Sequence, residues 1–319
     1  MIRTHNLTMT FKTLFGKPFT AVDHINFEVQ DGDIFGFLGP NGAGKTTTIR
    51  MLSTILDPTE GTAEVCGYDI VKEPLKAKSR IGLMPDAPGF YENMSAVDQL
   101  VFYGEFYNIP RAECKRKANE LLDMVRLTEF KNRKIKTYSH GMKKRVAVAQ
   151  SLINEPRLLI LDEPTGGLDP QSTHEFREMI KRLSKKGITI FLSSHILPEV
   201  QQICNRVGII NHAKIIAVDS IKNLAKRISS KNKVNVFVKA EGMNEKHILE
   251  LLKIDGVQKY FPYGDGVNFT IEEQEQELEV AARINAYLVN KGVKVQTLHP
   301  SEPSLEDVFL EVTGNNEVT

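Results

Sequence analysis

The sequence predicts an α/β protein in two parts, on three observations. An apolar stretch, Asp33-Ile-Phe-Gly-Phe-Leu-Gly39, runs into a glycine-rich loop and then a helix from Lys45, with Ile49, Leu52 and Leu56 on its apolar side. A second apolar strand, Leu158 to Leu161, ends in two carboxylates, Asp162 and Glu163. From Lys233 the pattern changes to short alternating strands and amphipathic helices in the order βαββαβ, which predicts a small ferredoxin-like α+β domain.

The 319 residues leave room for about two domains. With 41% hydrophobic and 25% charged residues the composition is that of an ordinary soluble globular protein. The net charge of +1 hides an asymmetry: residues 1–225 hold 30 Lys and Arg against 25 Asp and Glu, and residues 226–319 hold 11 against 15. The change of sign places a boundary at the polar stretch 226–233, giving domains 1–225 and 226–319. Cys66, Cys114 and Cys204 are scattered, which argues against a disulfide framework or a zinc site and fits a reducing compartment. No apolar run reaches the roughly 18 residues needed to span a bilayer, so the chain is expected not to cross a membrane itself. The short basic runs 131–136 and 143–145 read as solvated faces, and the near-zero charge does not suggest DNA binding.

The loop Gly39-Pro-Asn-Gly-Ala-Gly-Lys-Thr46 carries the strongest chemistry. Its glycines let successive N–H groups turn toward a phosphate, and the helix that follows adds its positive dipole end. Lys45 would neutralise the terminal phosphates, Thr46 would ligate Mg²⁺, and Thr47 could reach the α-phosphate. Asp162 and Glu163 must sit at the C-terminal mouth of their strand, where α/β sheets bind ligands. Asp162 is the expected partner of the Mg²⁺ shell, and Glu163 the expected polariser of an attacking water. Ser139 stands where an N-cap belongs, ahead of a helix with Ala147, Val148, Leu152 and Ile153 on its apolar face, so a second helix N-terminus is available to an anion.

In this order, and across residues 1 to about 220, these motifs resemble the ATP-binding subunits of ABC transporters. Gly39, Pro40, Asn41, Gly42, Ala43, Gly44, Lys45, Thr46 and Thr47 are similar to the Walker A loop, and Leu158–Glu163 to Walker B with its catalytic Glu. Tyr138-Ser-His-Gly-Met142 is similar to the signature loop, Gly167-Leu168-Asp169 to the D-loop, and His195 to the switch histidine. The resemblance implies a P-loop NTPase of ABC ATPase type with a helical signature subdomain at about 87–150. It implies ATP and Mg²⁺, with Thr46, Asp162 and Asp86 as metal ligands, Ser139 and Gly141 on the γ-phosphate, Glu163 and His195 in catalysis, and Phe11 stacked on adenine. Phe15 and Phe19 follow Phe11 in a longer segment than the family usually has.

Two departures stand out. Asp86 occupies the place of a Gln that in the family bridges Mg²⁺ and water, and a carboxylate adds charge there. In the signature, His140 replaces a Gly and Met142 a Gln. One Walker A and one signature per chain imply that a complete site needs a second ATPase protomer, a copy or a paralogue. The resemblance further implies a separate polytopic membrane permease, no nucleic acid, and a place on the cytoplasmic face of the cell membrane.

The helical segment 90–110 is dense in aromatics, with Val97, Leu100, Val101, Tyr103 and Phe106 at near-helical spacing, and in the family this subdomain receives a helix of the permease. The last ninety residues end in a predicted helix with Leu305, Val308, Phe309 and Val312 on one face, and resemble the ending of ABC-2-type exporter ATPases, which are associated with drugs, antibiotics, lipids or sodium. A soluble ABC ATPase acting on nucleic acid or ribosomes is the alternative; a P-loop kinase or GTPase would leave the signature, the D-loop and His195 unexplained.

Overall fold

The computed structural model describes residues 1–12, 16–224, 234–263, 265–271 and 277–301. The polar stretch 226–233, Phe15 and the closing helix with Leu305, Val308, Phe309 and Val312 lie outside the described residues. Two compact units are present, Met1–Asp219 and Ser220–Thr319.

The first unit begins with an antiparallel layer: β1 (Ile2–Phe11), β2 (Phe19–Ile25) and β3 (Glu28–Val29). The parallel layer starts with β4 (Ile34–Leu38), which leads through the glycine-rich loop into α1 (Lys45–Leu52). That helix is shorter than its apolar spacing predicts. The left-handed Thr54 (φ 57°) turns the chain away, and Leu56 packs on the core from beyond the helix end. β5 (Glu60–Val65) and β6 (Tyr68–Asp69) complete the antiparallel sheet, in the order β2-β1-β5-β6 with β3 also on β1. A short α2 (Pro74–Lys78) precedes β7 (Ile81–Met84).

Three helices follow: α3 (Ala96–Phe106), α4 (Arg111–Met124) and α5 (His140–Ser151). Ser95 and Ser139 cap α3 and α5, each accepting from a main-chain N–H three residues on. Val97, Leu100 and Val101 of α3 are buried and Phe106 is exposed, so only part of its aromatic face serves as core.

The chain then returns to the parallel sheet with β8 (Leu158–Leu161), α6 (Pro170–Lys185), β9 (Thr189–Ser194), α7 (Leu197–Ile203), β10 (Arg206–Asn211) and β11 (Lys214–Ser220). The sheet order is β11-β10-β4-β9-β8-β7, with β10, β4, β9, β8 and β7 parallel. All four residues of β8 and all six of β9 are buried, as a parallel strand covered on both faces requires. Phe27 from the antiparallel layer packs against Phe35 and Phe37 of β4 and Phe191 of β9, with ring centroids 5.4–6.1 Å apart, so one aromatic cluster joins the two layers.

The second unit consists of β12 (Val234–Glu241), α8 (Glu245–Leu251), β13 (Val257–Tyr263), β14 (Gly266–Ile271), α9 (Glu277–Asn290) and β15 (Lys294–Ser301). Its sheet order is β13-β14-β12-β15, and the three pairs are antiparallel, which is the ferredoxin-like arrangement read from the sequence. Val236, Val238, Phe269, Ile271, Ile284 and Leu288 form its core. No helix among the described residues is long and apolar enough to cross a membrane.

Candidate functional site

The parallel sheet delivers its functional residues to one end. β4 leads into the loop from Gly39, β7 into Asp86, β8 into Asp162 and Glu163, and β9 into His195, each just beyond a C-terminal strand end. The loop needs glycine at two points for different reasons. A Cβ at Gly39 would lie 2.3 Å from the Ile210 carbonyl oxygen, and Gly44 adopts φ 110° with its Cβ position 2.3 Å from the Ala21 carbonyl oxygen.

Around that loop lies a cleft of about 340 Å³ lined by Phe11, Phe19, Asn41, Gly42, Gly44, Lys45, Thr46, Thr47, Asp86 and Glu163. Lys45 is buried, and its Nζ donates to the carbonyls of Gly39 (2.7 Å) and Pro40 (3.2 Å) while standing 3.2 Å from Glu163 Oε1. The other carboxylate oxygen of Glu163 lies 2.9 Å from His195 Nδ1. Asp162 is buried, and its Oδ1 accepts from the Ser193 hydroxyl at 2.6 Å. The same Ser193 oxygen accepts from the Glu163 N–H at 2.9 Å. Glu163 itself holds a left-handed backbone with φ 45°, a strained conformation for a residue with a side chain.

Sequence reasoning missed Ser193, although the Ser193-Ser194 pair that ends a buried strand just before His195 was the available signal. It placed Phe11 ahead of Phe19, its cross-strand neighbour. Phe19 lines the same cleft and is more exposed, 57% against 39%.

The signature residues stand apart from this cleft. Ser139 and Gly141 do not line it. Ser139 caps α5, and a Cβ on Gly141 would meet Ser172 Oγ at 2.8 Å, so a side chain there would have to displace Ser172 of α6. His140 lies with its Nε2 3.3 Å from the Gly166 carbonyl oxygen, which ties the signature to the turn before the D-loop. Asp169 of that loop caps α6, accepting from the Ser172 N–H (2.9 Å) and hydroxyl (2.6 Å), and these bonds hold its carboxyl below the usual carboxylate range.

One expectation is overturned. Residues 143–145 are not a solvated basic face. Lys143 pairs with Glu92 at 3.0 Å and Arg145 with Glu175 at 3.4 Å, and Lys144 is only 3% exposed. Its ammonium donates to the carbonyls of Asp86 (3.1 Å) and Glu163 (3.2 Å) and stands 3.7 Å from Asp86 Oδ1. Burial pushes its pKa down, while Asp86, Asp162 and Glu163 pull it back up. The helical period of α5 turns this one lysine inward, which composition alone does not reveal.

A phosphate-cradling loop, a buried carboxylate on the neighbouring strand and a second carboxylate held by a histidine define a P-loop nucleotide hydrolase. Comparison with known proteins narrows the class. Residues 22–166 match the ABC transporter domain family, and residues 217–313 match the C-terminal domain of DrrA1-3-like ATP-binding proteins. The linearmycin resistance ATP-binding protein LnrL of Bacillus subtilis is 35% identical over 98% of both chains. The bacitracin transport ATP-binding protein BcrA of Bacillus licheniformis is 36% identical over 100% of this chain and 99% of its own. Among solved structures, the ADP conformation of the ATP-binding cassette MJ1267 is 26% identical, with a TM-score of 0.63 over 72% of this chain and 94% of that one. The chain belongs to the ABC transporter ATP-binding protein family. It is an ATP-binding, ATP-hydrolysing subunit of the exporter type.

Proposed function

We propose that this subunit hydrolyses ATP as one half of a head-to-tail pair and drives a separate membrane permease. The observation that carries the reading is the separation just described. The cleft at the sheet end gathers Lys45, Thr46, Asp86 and Glu163, whereas Ser139 and Gly141 at the start of α5 do not line it. A second protomer offering its Ser139 and Gly141 to the γ-phosphate completes the site.

Within one site the residues divide the work. Phe11 or its neighbour Phe19 offers a face to adenine, and Gly39–Thr47 surround the phosphates. The Lys45 ammonium, which is committed to two loop carbonyls and Glu163, transfers to the β/γ-phosphates. Glu163 accepts the proton of the attacking water, and His195 holds the carboxylate in place through its 2.9 Å contact. Thr46, Asp162 and Asp86 would hold Mg²⁺, since an oxygen-only donor set suits that ion. When bound, that ion would offset the charge of the phosphates.

For the permease, the exposed side chains Ile55 and Tyr107 line a cleft of about 250 Å³ between α3, α5 and β7, together with Tyr103, Gly82 and Leu83. We assign a cytoplasmic permease helix to this apolar surface. The second unit is an accessory domain of the exporter ATPases, and the relatives LnrL and BcrA point to an antibiotic-like cargo.

Glu163→Gln tests the pair. With ATP and Mg²⁺ it is expected to lower kcat by about 10²–10⁴-fold and to elute at twice the monomer mass in size exclusion with light scattering. Hydrolysis at the wild-type rate removes Glu163 from its role.

A further inference from the structure

Lys144 has no part in the machinery so far described, yet its ammonium is among the most enclosed charges of the ATPase unit. It reaches the site from α5, the helix whose start is the signature, and joins two other elements. One is the Asp86 loop after β7, where it meets both the carbonyl oxygen and the carboxylate. The other is Glu163 after β8, where it takes the carbonyl oxygen at 3.2 Å. Two physical needs meet at this point. The strained Glu163 peptide must be held from both sides, and it is: Ser193 Oγ takes its N–H at 2.9 Å and Lys144 takes its C=O. Asp86 also places a third carboxylate beside Asp162 and Glu163, on a site that must accept a polyanion. Lys45 alone is one positive charge against that group.

We propose that Lys144 is a positioning residue for hydrolysis: it clamps the Glu163 peptide and supplies the counter-charge that permits an aspartate at position 86. The carboxylate of Asp86 is 65% exposed and lines the nucleotide cleft, so it faces the phosphates on one side and Lys144 on the other. Lys144 thereby connects the helix that carries the signature to the residue that activates water in the same protomer. This inference rests on Asp86 belonging to the nucleotide site.

The test compares full-length wild type, Lys144→Gln, Asp86→Gln, the double variant and Lys144→Arg. The readouts are kcat and KM for ATP, ATP affinity by calorimetry in EDTA, and melting temperature. Lys144→Gln is expected to lower kcat at least tenfold and to weaken metal-free ATP binding at least threefold. Adding Asp86→Gln to it is expected to recover most of the binding loss and at least threefold of kcat, and Lys144→Arg to retain more activity than Lys144→Gln. A packing role alone would shift the melting temperature without that recovery. Wild-type kinetics in Lys144→Gln, or a double variant no better than Lys144→Gln, would overturn the proposal. Should Lys144→Gln fail to fold, Asp86→Gln decides through ATP affinity in EDTA, where a metal ligand has no part: it leaves the Lys144 charge unopposed by that carboxylate, so metal-free binding at least threefold tighter supports the charge balance, and unaltered or weaker binding refutes it. Wild type and Lys45→Ala run alongside. An inactive wild type, or an active Lys45→Ala, counts against the site assignment; an active wild type with an inactive Lys45→Ala leaves the Lys144 result to stand by itself.

Discussion

The strand ends of the parallel sheet and the start of α5 are both assigned to phosphate in the proposed function, but they are finished differently. At the strand ends the functional side chains are held within the unit: Lys45 by two carbonyls and Glu163, Asp162 by Ser193, and Glu163 by His195. They project from strands fixed by buried apolar runs and an aromatic cluster. At the start of α5, Ser139 and His140 are exposed, and Ser139 bonds only to the N–H of its own helix. The comparison teaches that the side chains at the strand ends are preorganised by the sheet, while the start of α5 is left at a surface, where the proposed pair would bring it a nucleotide held by the other protomer.

The largest effect expected from breaking the first region is at Lys45. Lys45→Ala removes the one buried ammonium that lines the cleft and should weaken ATP binding by about 2–5 kcal/mol, measured by calorimetry. His195→Ala comes next. It leaves Glu163 without its orienting partner and should lower kcat by about 10–100-fold with little change in ATP affinity, as steady-state kinetics would show. Ser139→Ala strikes the second region instead, and is expected to cut kcat while leaving the ATP affinity of the isolated subunit within about twofold, since Ser139 does not line that cleft. A smaller loss is expected from the aromatic pair. Phe11→Ala should cost at least about 1 kcal/mol of nucleotide affinity if that ring stacks on adenine, and a greater loss in Phe19→Ala would move the contact to the more exposed ring.

Much of the strand-end region was legible in the sequence because its physical demands are local. A glycine-rich loop after an apolar strand, and carboxylates ending another, specify where the backbone must curl and where charge can surface. The ferredoxin-like order of the second unit was legible for a similar reason, since alternation and turn residues set each strand in sequence. The contacts that join elements were not legible. Lys144 looked like one of three surface cations until the turn of α5 aimed it inward between two loops. Ser193 carries no motif of its own, and only the register of β8 beside β9 brings it to Asp162 and Glu163. Leu56 continued a helical spacing that the left-handed Thr54 interrupts.

Mixing two variants with complementary defects tests most directly whether one site draws on two chains. Lys45→Ala has an intact signature and a disabled loop, and Ser139→Ala the reverse. A head-to-tail mixed pair joins the sound loop of one to the sound signature of the other. ATPase activity that rises on mixing to a maximum near equal amounts and exceeds the sum of the separate variants is the expected result. Activity that never exceeds the sum of the separate variants at any ratio would contradict the account.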